Sequence, residues 1–162
     1  SAIVAAIVLI GDQLSKHWAE TWLRTNGEYK IWDGVLHLRY VENRGAAFGM
    51  MQGGKWFFLA ITGIACAAML YFLIKERKRL HFMMTFSIAL LLSGAIGNLI
   101  DRVALGYVRD MIYVALIDFA VFNVADMAVT VGCCLLVLDL LFFKGKRYME
   151  MMDKKPQTGE NS

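Results

Sequence analysis

The sequence predicts an all-α membrane fold: four transmembrane helices carrying a small extracytoplasmic β-sheet. Three observations predict it. The apolar residues fall in four long blocks, Lys and Arg crowd into alternate connections, and one connection alternates in the manner of a strand. Apolar residues make up 58% of the 162, mean hydropathy is +0.50, and there is one proline. One domain accounts for that length. A water-soluble helical bundle is the competing reading, and it would show a polar stripe on every helix.

The blocks are taken in order. A helix needs about 20 mostly apolar residues to cross a hydrocarbon core of ~30 Å. Residues 1–18, "SAIVAAIVLIGDQLSKHW", form the first block and carry Asp12 and Lys16. Its abrupt apolar start is what a chain lacking a few native N-terminal residues would show. It does not read as a cleavable signal peptide, since a basic leading region and a small-residue cleavage site are absent and Asp12 interrupts the run. Residues 56–74 and 82–100 are uncharged, which removes the polar stripe a soluble bundle requires; the third span extends to about 102. Residues 119–143 close the set and contain Asp126 and Asp139.

Between the first two blocks, "TNGEYKIWDG" (25–34) reads as turns and "VLHLRYV" (35–41) as a short strand. Leu36, Leu38 and Tyr40 would share one face, with His37 and Arg39 on the other. "ENRGAAFGM" supplies Gly45 and Gly49 for a turn or bulge. A sheet over about 26–50 fits the outer membrane surface, because its open edges would be unsatisfied in lipid. The connection 103–118 contains "MIYVALI", either a strand or a short interfacial segment. His17, Trp18, Trp22, Trp32, Trp56 and Tyr71 fall near span ends, where amphipathic rings settle. Gly94 and Gly97 allow close helix approach. The polar tail 151–162, with Pro156 and Gly159, is expected to be disordered.

Residues 75–81 hold four Lys/Arg in seven positions and 144–155 hold five in twelve, whereas 20–55 and 103–118 together hold six in 52. Dense basic connections stay on the cytoplasmic side. Both termini are therefore expected inside, with 20–55 and 103–118 outside. Cys66, Cys133 and Cys134 lie in spans without ligand spacing, and His17, His37 and His81 lack partners at such spacing. No metal or cofactor is expected.

Polar residues inside a membrane are rare and functional by default. Asp12 and Lys16 share one helical face, Asn98, Asp101 and Arg102 share another, and Asn123 and Asp126 a third. By this topology all three sets lie toward the outer ends of their helices. Asp126, about seven residues into its block, would lie ~10 Å deep. Asp110 stands in the outer connection nine residues after Asp101. Bland readings compete. Asp12–Lys16 could be a structural ion pair, and Asn98–Asp101–Arg102 could tie helices together. Asp139 would reach the cytoplasmic interface. Asp118 would be an interfacial carboxylate or a helix N-cap. Asp126 resists such explanations most.

Two carboxylates in a partly dry site cannot both ionise cheaply, so they share a proton. One can then take a proton from water while the other donates to a carbonyl oxygen or leaving amine. That is peptide hydrolysis without a nucleophilic side chain or a metal, and no Ser–His pairing, HExxH or GxSxG offers a competing scheme. A small polytopic transporter or ion-site protein would use the same carboxylates, but it wants charge along a path through the membrane. A non-catalytic scaffold would not need both Asp110 and Asp126.

In order along the chain, "DQLSK", "ENRGAAFGM", "SGAIGNLIDRV", "GYVRDMI" and "FNVADMAV" resemble the motifs of the lipoprotein signal peptidase (signal peptidase II) family, covering residues 12–129. The resemblance implies an intramembrane aspartic endopeptidase of the bacterial cytoplasmic membrane. Its substrates would be prolipoproteins whose cysteine carries a diacylglyceryl group, cut just before that cysteine. It puts Asp110 and Asp126 on the catalytic dyad. Asn43, Asn98, Asp101, Arg102 and Asn123 fall on the surrounding polar shell, with Gly45 beside Asn43 and with Asp12 and Lys16 in support. It makes 103–118 a mobile lid over an extracytoplasmic-facing site, membrane lipid a partner, and cyclic-peptide antibiotics of the globomycin type inhibitors. Ser93 stands where a glycine is common, and the short loop after Asp110 leaves Asp118 as a rival for the first dyad position. The spacing of Asp110 from "GNLIDR" favours Asp110.

Overall fold

The computed structural model describes residues 2–45 and 55–143. The expected disordered tail, Gly49 and the end of the expected sheet region lie outside them. The first helix, α1 (Ala2–Trp18), continues without a break through a π-helical turn (Ala19–Leu23) into a short α2 (Arg24–Asn26). Two strands follow, β1 (Tyr29–Trp32) and β2 (Leu36–Asn43). Then come α3 (Lys55–Glu76), α4 (Phe82–Ala104), β3 (Val108–Val114), a 3₁₀ turn (Ala115–Ile117) and α5 (Val124–Phe142). Of the described helices, three are long and apolar enough to cross a membrane: Trp56–Glu76, Phe82–Ala104 and Val124–Phe142. The α1 helix, at 17 residues, is shorter.

The strands form one antiparallel sheet in the order β1-β2-β3. The turn reading of 25–34 holds around Asp33 and Gly34 but not before them, where Thr25 and Asn26 end α2 and Tyr29–Trp32 pairs with β2. Local sequence is a weak guide to a strand whose stability comes from its neighbour. Gly34, at φ 72°, makes the tight return, and Val35 N–H donates to Trp32 O at 3.0 Å. Of the two readings left open for "MIYVALI", the strand holds for its first half: Leu38 lies opposite Ile112 and Leu36 opposite Val114.

Alternation on β2 does what it predicted. Leu38 and Tyr40 turn inward with Ile112 onto buried Ala19, Leu23 and Met111, so the sheet seats on the helical continuation of α1. The other core lies between α3, α4 and α5, where Met84 and Ile88 pack against Met69, Phe72, Leu73, Leu136 and Leu140. Between these two, helices α4 and α5 meet at glycine. A Cβ on Gly94 would strike the Ala125 carbonyl, and one on Gly97 would lie 2.6 Å from Asp12 Oδ2.

Asp139, expected at an interface, is fully buried, and His81 Nε2 lies 2.7 Å from its Oδ1. Of the two readings of Asp118 the helix N-cap fails, since Asn123 caps α5, while Asp118 itself is exposed. It ends the 3₁₀ turn in the left-handed region at φ 47°, and its carboxylate accepts from Tyr113 Oη at 2.6 Å. The reason is that Phe122 bridges to Ile112, which holds the preceding segment extended and delays the helix.

Candidate active site

The chain enters α5 through Asn123, whose backbone is extended. Asn123 Oδ1 accepts from Asp126 N–H at 2.9 Å, and Asp126 Oδ2 accepts from Asn123 N–H at 3.1 Å. This reciprocal capping box satisfies two backbone donors at the helix start. Asp126 therefore lies in the first turn of α5, not seven residues along it as the length of the apolar block suggested. The segment 119–123 is apolar because it covers β3, not because it is helical.

Three asparagine amides gather around Asp110 and Asp126, and the orientation of each is forced. Lys16 has only donors. Its Nζ reaches Asn98 Oδ1 at 2.8 Å, so the Asn98 NH₂ must point away, and it donates to Asp126 Oδ1 at 2.8 Å. Asn123 Oδ1 is committed to Asp126 N–H, so its NH₂ faces Asp110 and donates to Oδ1 at 2.6 Å. Asn43 Oδ1 takes Gly45 N–H at 3.0 Å, which turns its NH₂ onto Asp110 Oδ2 at 3.0 Å. Asn123 thus touches both carboxylates. Each oxygen of the pair accepts from a donor that cannot flip.

Behind this layer lies buried charge. Asp12 and Lys16 pair at 2.9 Å with essentially no exposure, and Lys16 also lies 3.6 Å from Asp101. Asp12 Oδ1 accepts from Ala125 N–H at 2.9 Å, supplying a further cap to α5 from α1. Asp12 and Lys16 thus form the buried ion pair that is one of their two readings, and Lys16 also reaches Asn98, which contacts Asp126. Asp101 accepts from the backbone N–H, Nε and Nη2 of Arg109 at 2.9, 3.2 and 2.8 Å. Arg109 also reaches Glu20 at 3.0 Å and Gln13 at 3.2 Å. Arg109, Gln13 and Glu20 were missed in the sequence. Arg109 sits beside Asp110 in "YVRD" and Gln13 in "DQLSK", so the motifs contained two of them.

Asp110 and Asp126 line one cavity of about 540 Å³. Asn43, Gly45, Asn98 and Arg102 give it a polar end, and Val108, Val121, Phe122, Val129 and Val131 an apolar wall. Arg102 approaches Gly45 O at 3.5 Å and lies over the Phe58 ring, turned away from Asp101, its neighbour in sequence. Asp118 is not among the residues of this cavity. Burial pushes the Asp110 carboxyl up to about 7; Asp126 adds to the rise, and the amides of Asn43 and Asn123 oppose it. Among the described residues, no cluster of three His, Cys, Asp or Glu is placed to hold a metal ion.

Known proteins are similar to this chain in sequence and fold. The family model for signal peptidase (SPase) II matches residues 4–142. A lipoprotein signal peptidase of Streptococcus thermophilus is 46% identical over 138 residues, covering 85% of this chain and 90% of its own. One from Clostridioides difficile is 44% identical over 145 residues, covering 89% and 97%. Two solved structures, each described as a bacterial membrane enzyme, superpose with TM-scores of 0.79 and 0.77 at 33% and 36% identity. The first covers 98% of this chain and 93% of its own, the second 87% and 92%. The chain belongs to the signal peptidase II family of aspartic endopeptidases.

Proposed function

We propose that this chain removes the signal peptide from diacylglyceryl-modified prolipoproteins, cutting just before the lipidated cysteine with a water molecule activated by Asp110 and Asp126. The observation that carries this reading is that the two carboxylates line one cavity and are tied together by Asn123. The relatives' names supply the substrate class.

In this mechanism the pair holds one proton. The ionised carboxylate takes a proton from water as its oxygen attacks the scissile carbonyl, and the protonated partner donates to the carbonyl oxygen. The resulting gem-diol collapses when a proton passes to the amide nitrogen, which leaves as the free amine of the cysteine. Asn98, Asn123 and Asn43 hold the carboxylates still, so little reorganisation accompanies the charge movement. The diacylglyceryl anchor holds the substrate at the membrane surface and turns a bimolecular encounter into a positioned one.

The α1 helix serves as a fourth span. Ile3, Ile7, Ile10 and Leu14 form an exposed stripe suited to lipid, while Asp12 and Lys16 are buried on the side facing α4 and α5. The basic connections keep both termini cytoplasmic and the site toward the extracytoplasmic face of the bacterial membrane. The connection 103–118 closes over substrate as a lid, and cyclic-peptide antibiotics of the globomycin type occupy the same cavity.

The test is cleavage of a lipobox peptide bearing diacylglyceryl-cysteine in detergent. Asp110→Asn and Asp126→Asn each abolish turnover while the protein stays folded, Asp118→Asn retains it, and EDTA has no effect. Loss in Asp118→Asn with survival of Asp110→Asn would reverse the assignment.

A further inference from the structure

A second cavity shares Asn43, Asp110, Phe119, Ala120 and Val121 with the first. It encloses about 400 Å³ and adds charged and polar residues: Arg39, Glu42, Arg44, Tyr113 and Asp118. Arg44 lies 3.2 Å from Glu42, and Asp118 accepts from Tyr113 Oη at 2.6 Å. Arg39 differs. Its guanidinium stacks over the Tyr113 ring at 4.0 Å, yet its Nε is buried and donates to nothing among the described residues. A buried N–H without an acceptor is destabilising, and more so when the group is charged. A ligand bringing an acceptor to this point would recover that cost.

Val41 lies opposite Asp110, and Arg39 falls in the break in register between Leu38 and Val41. Arg39 and Asp110 line the same cavity, so one extended segment can lie along both. The signal peptide is apolar and suits the larger cavity, whereas the mature chain is polar and leaves into water.

We propose that the second cavity binds the first residues of the mature chain, and that Arg39 selects an acidic side chain at the second or third residue after the cut. The proposal rests on the function given above. Arg39 is a specificity residue here, with no part in the bond-breaking step. The Tyr113 ring, 4.0 Å from the guanidinium carbon, fixes the place of the Arg39 charge beside the cavity.

The experiment uses the whole protein in non-ionic detergent with three diacylglyceryl-cysteine peptides, differing only in Asp, Ser or Lys at those two positions. Wild type is expected to rank them Asp, Ser, Lys in kcat/KM, with about tenfold or more between the extremes, a charge-assisted hydrogen bond's worth. The difference falls on KM, and high salt shrinks it. Arg39→Gln brings the Asp/Lys ratio close to one, Arg39→Glu inverts it, and Arg39→Lys retains its sign. A wild type that cleaves all three equally overturns the proposal without needing any variant, and so does a preference that persists in Arg39→Gln. A wild type that cleaves none of them brings down the functional reading itself, which keeps the two failures distinct.

Discussion

Asn98 shows how much a single side chain carries at this site. Its oxygen is held by Lys16 and its NH₂ by Asp126, so removing it strips a donor from a carboxylate and an acceptor from a buried ammonium. A hydrogen bond to a charged group contributes about 1.5–3 kcal/mol. Asn98→Ala should therefore lower kcat/KM by about tenfold to a hundredfold, read with the lipobox peptide. Asp110 adds a pH dependence. Its carboxyl is raised from 3.8 to about 7 by burial, and the apparent values belong to the pair. Activity should fall as pH rises through that region, because the shared proton is lost and two neighbouring carboxylates are left charged. Stability has the same sign: the folded state binds more protons than the unfolded chain between 3.8 and about 7, so this contribution is complete below that window and lost above it. Thermal unfolding across pH checks it, with the slope reduced in Asp110→Asn. At this scale the sequence picked out residues that the fold brings together and was a poor guide to what each of them touches. The pattern Asn123-x-x-Asp126 is a capping box in outline, and it would have given Asn123 its partner. Asp139 was misjudged because a helix position near a span end does not reveal a histidine waiting at the N-cap of α4.

The elements meet at small residues, and the cost of enlarging them can be stated. A methyl group on Gly94 would meet the Ala125 carbonyl and approach Val129 Cγ2 at 2.8 Å. Backbone cannot move aside as a side chain can, so Gly94→Ala should destabilise by about 1–3 kcal/mol and displace the first turn of α5 that holds Asp126. Gly63→Ala is the control, since nothing lies within 4 Å of a Cβ there. Thermal unfolding in detergent together with turnover separates the two variants; equal behaviour would contradict the packing. The helical blocks were legible because an apolar run of twenty residues has few other uses. The start of α5 was not, because segment 119–123 is as apolar as the helix it precedes and differs only in its bridge to β3. The strand β1 was hidden for the opposite reason: its residues are exposed and turn-like, and only pairing with β2 makes them a strand.

Across the whole molecule, buried charge links parts that are distant in sequence. Arg109 on β3 binds Asp101 on α4, Gln13 on α1 and Glu20 in the π-helical turn, while Lys16 on α1 reaches Asn98 and Asp101 on α4. Such groups are stable only as a complete set, because breaking one buried partnership strands the other member. The sequence signalled this architecture through the outer-end placement of its polar residues. It could not reveal the sheet's role in supplying Arg109, since strand registry is a property of three segments together.

The bond from Ala125 N–H to Asp12, across 113 residues, has a consequence for biogenesis. Asp12 leaves the ribosome 113 residues before Ala125. Until the last helix arrives and docks on the first, Asp110 has no Asn123 beside it and Lys16 holds Asn98 toward empty space. A chain caught part-way through insertion therefore carries no assembled hydrolytic pair, and the membrane is spared a half-made protease.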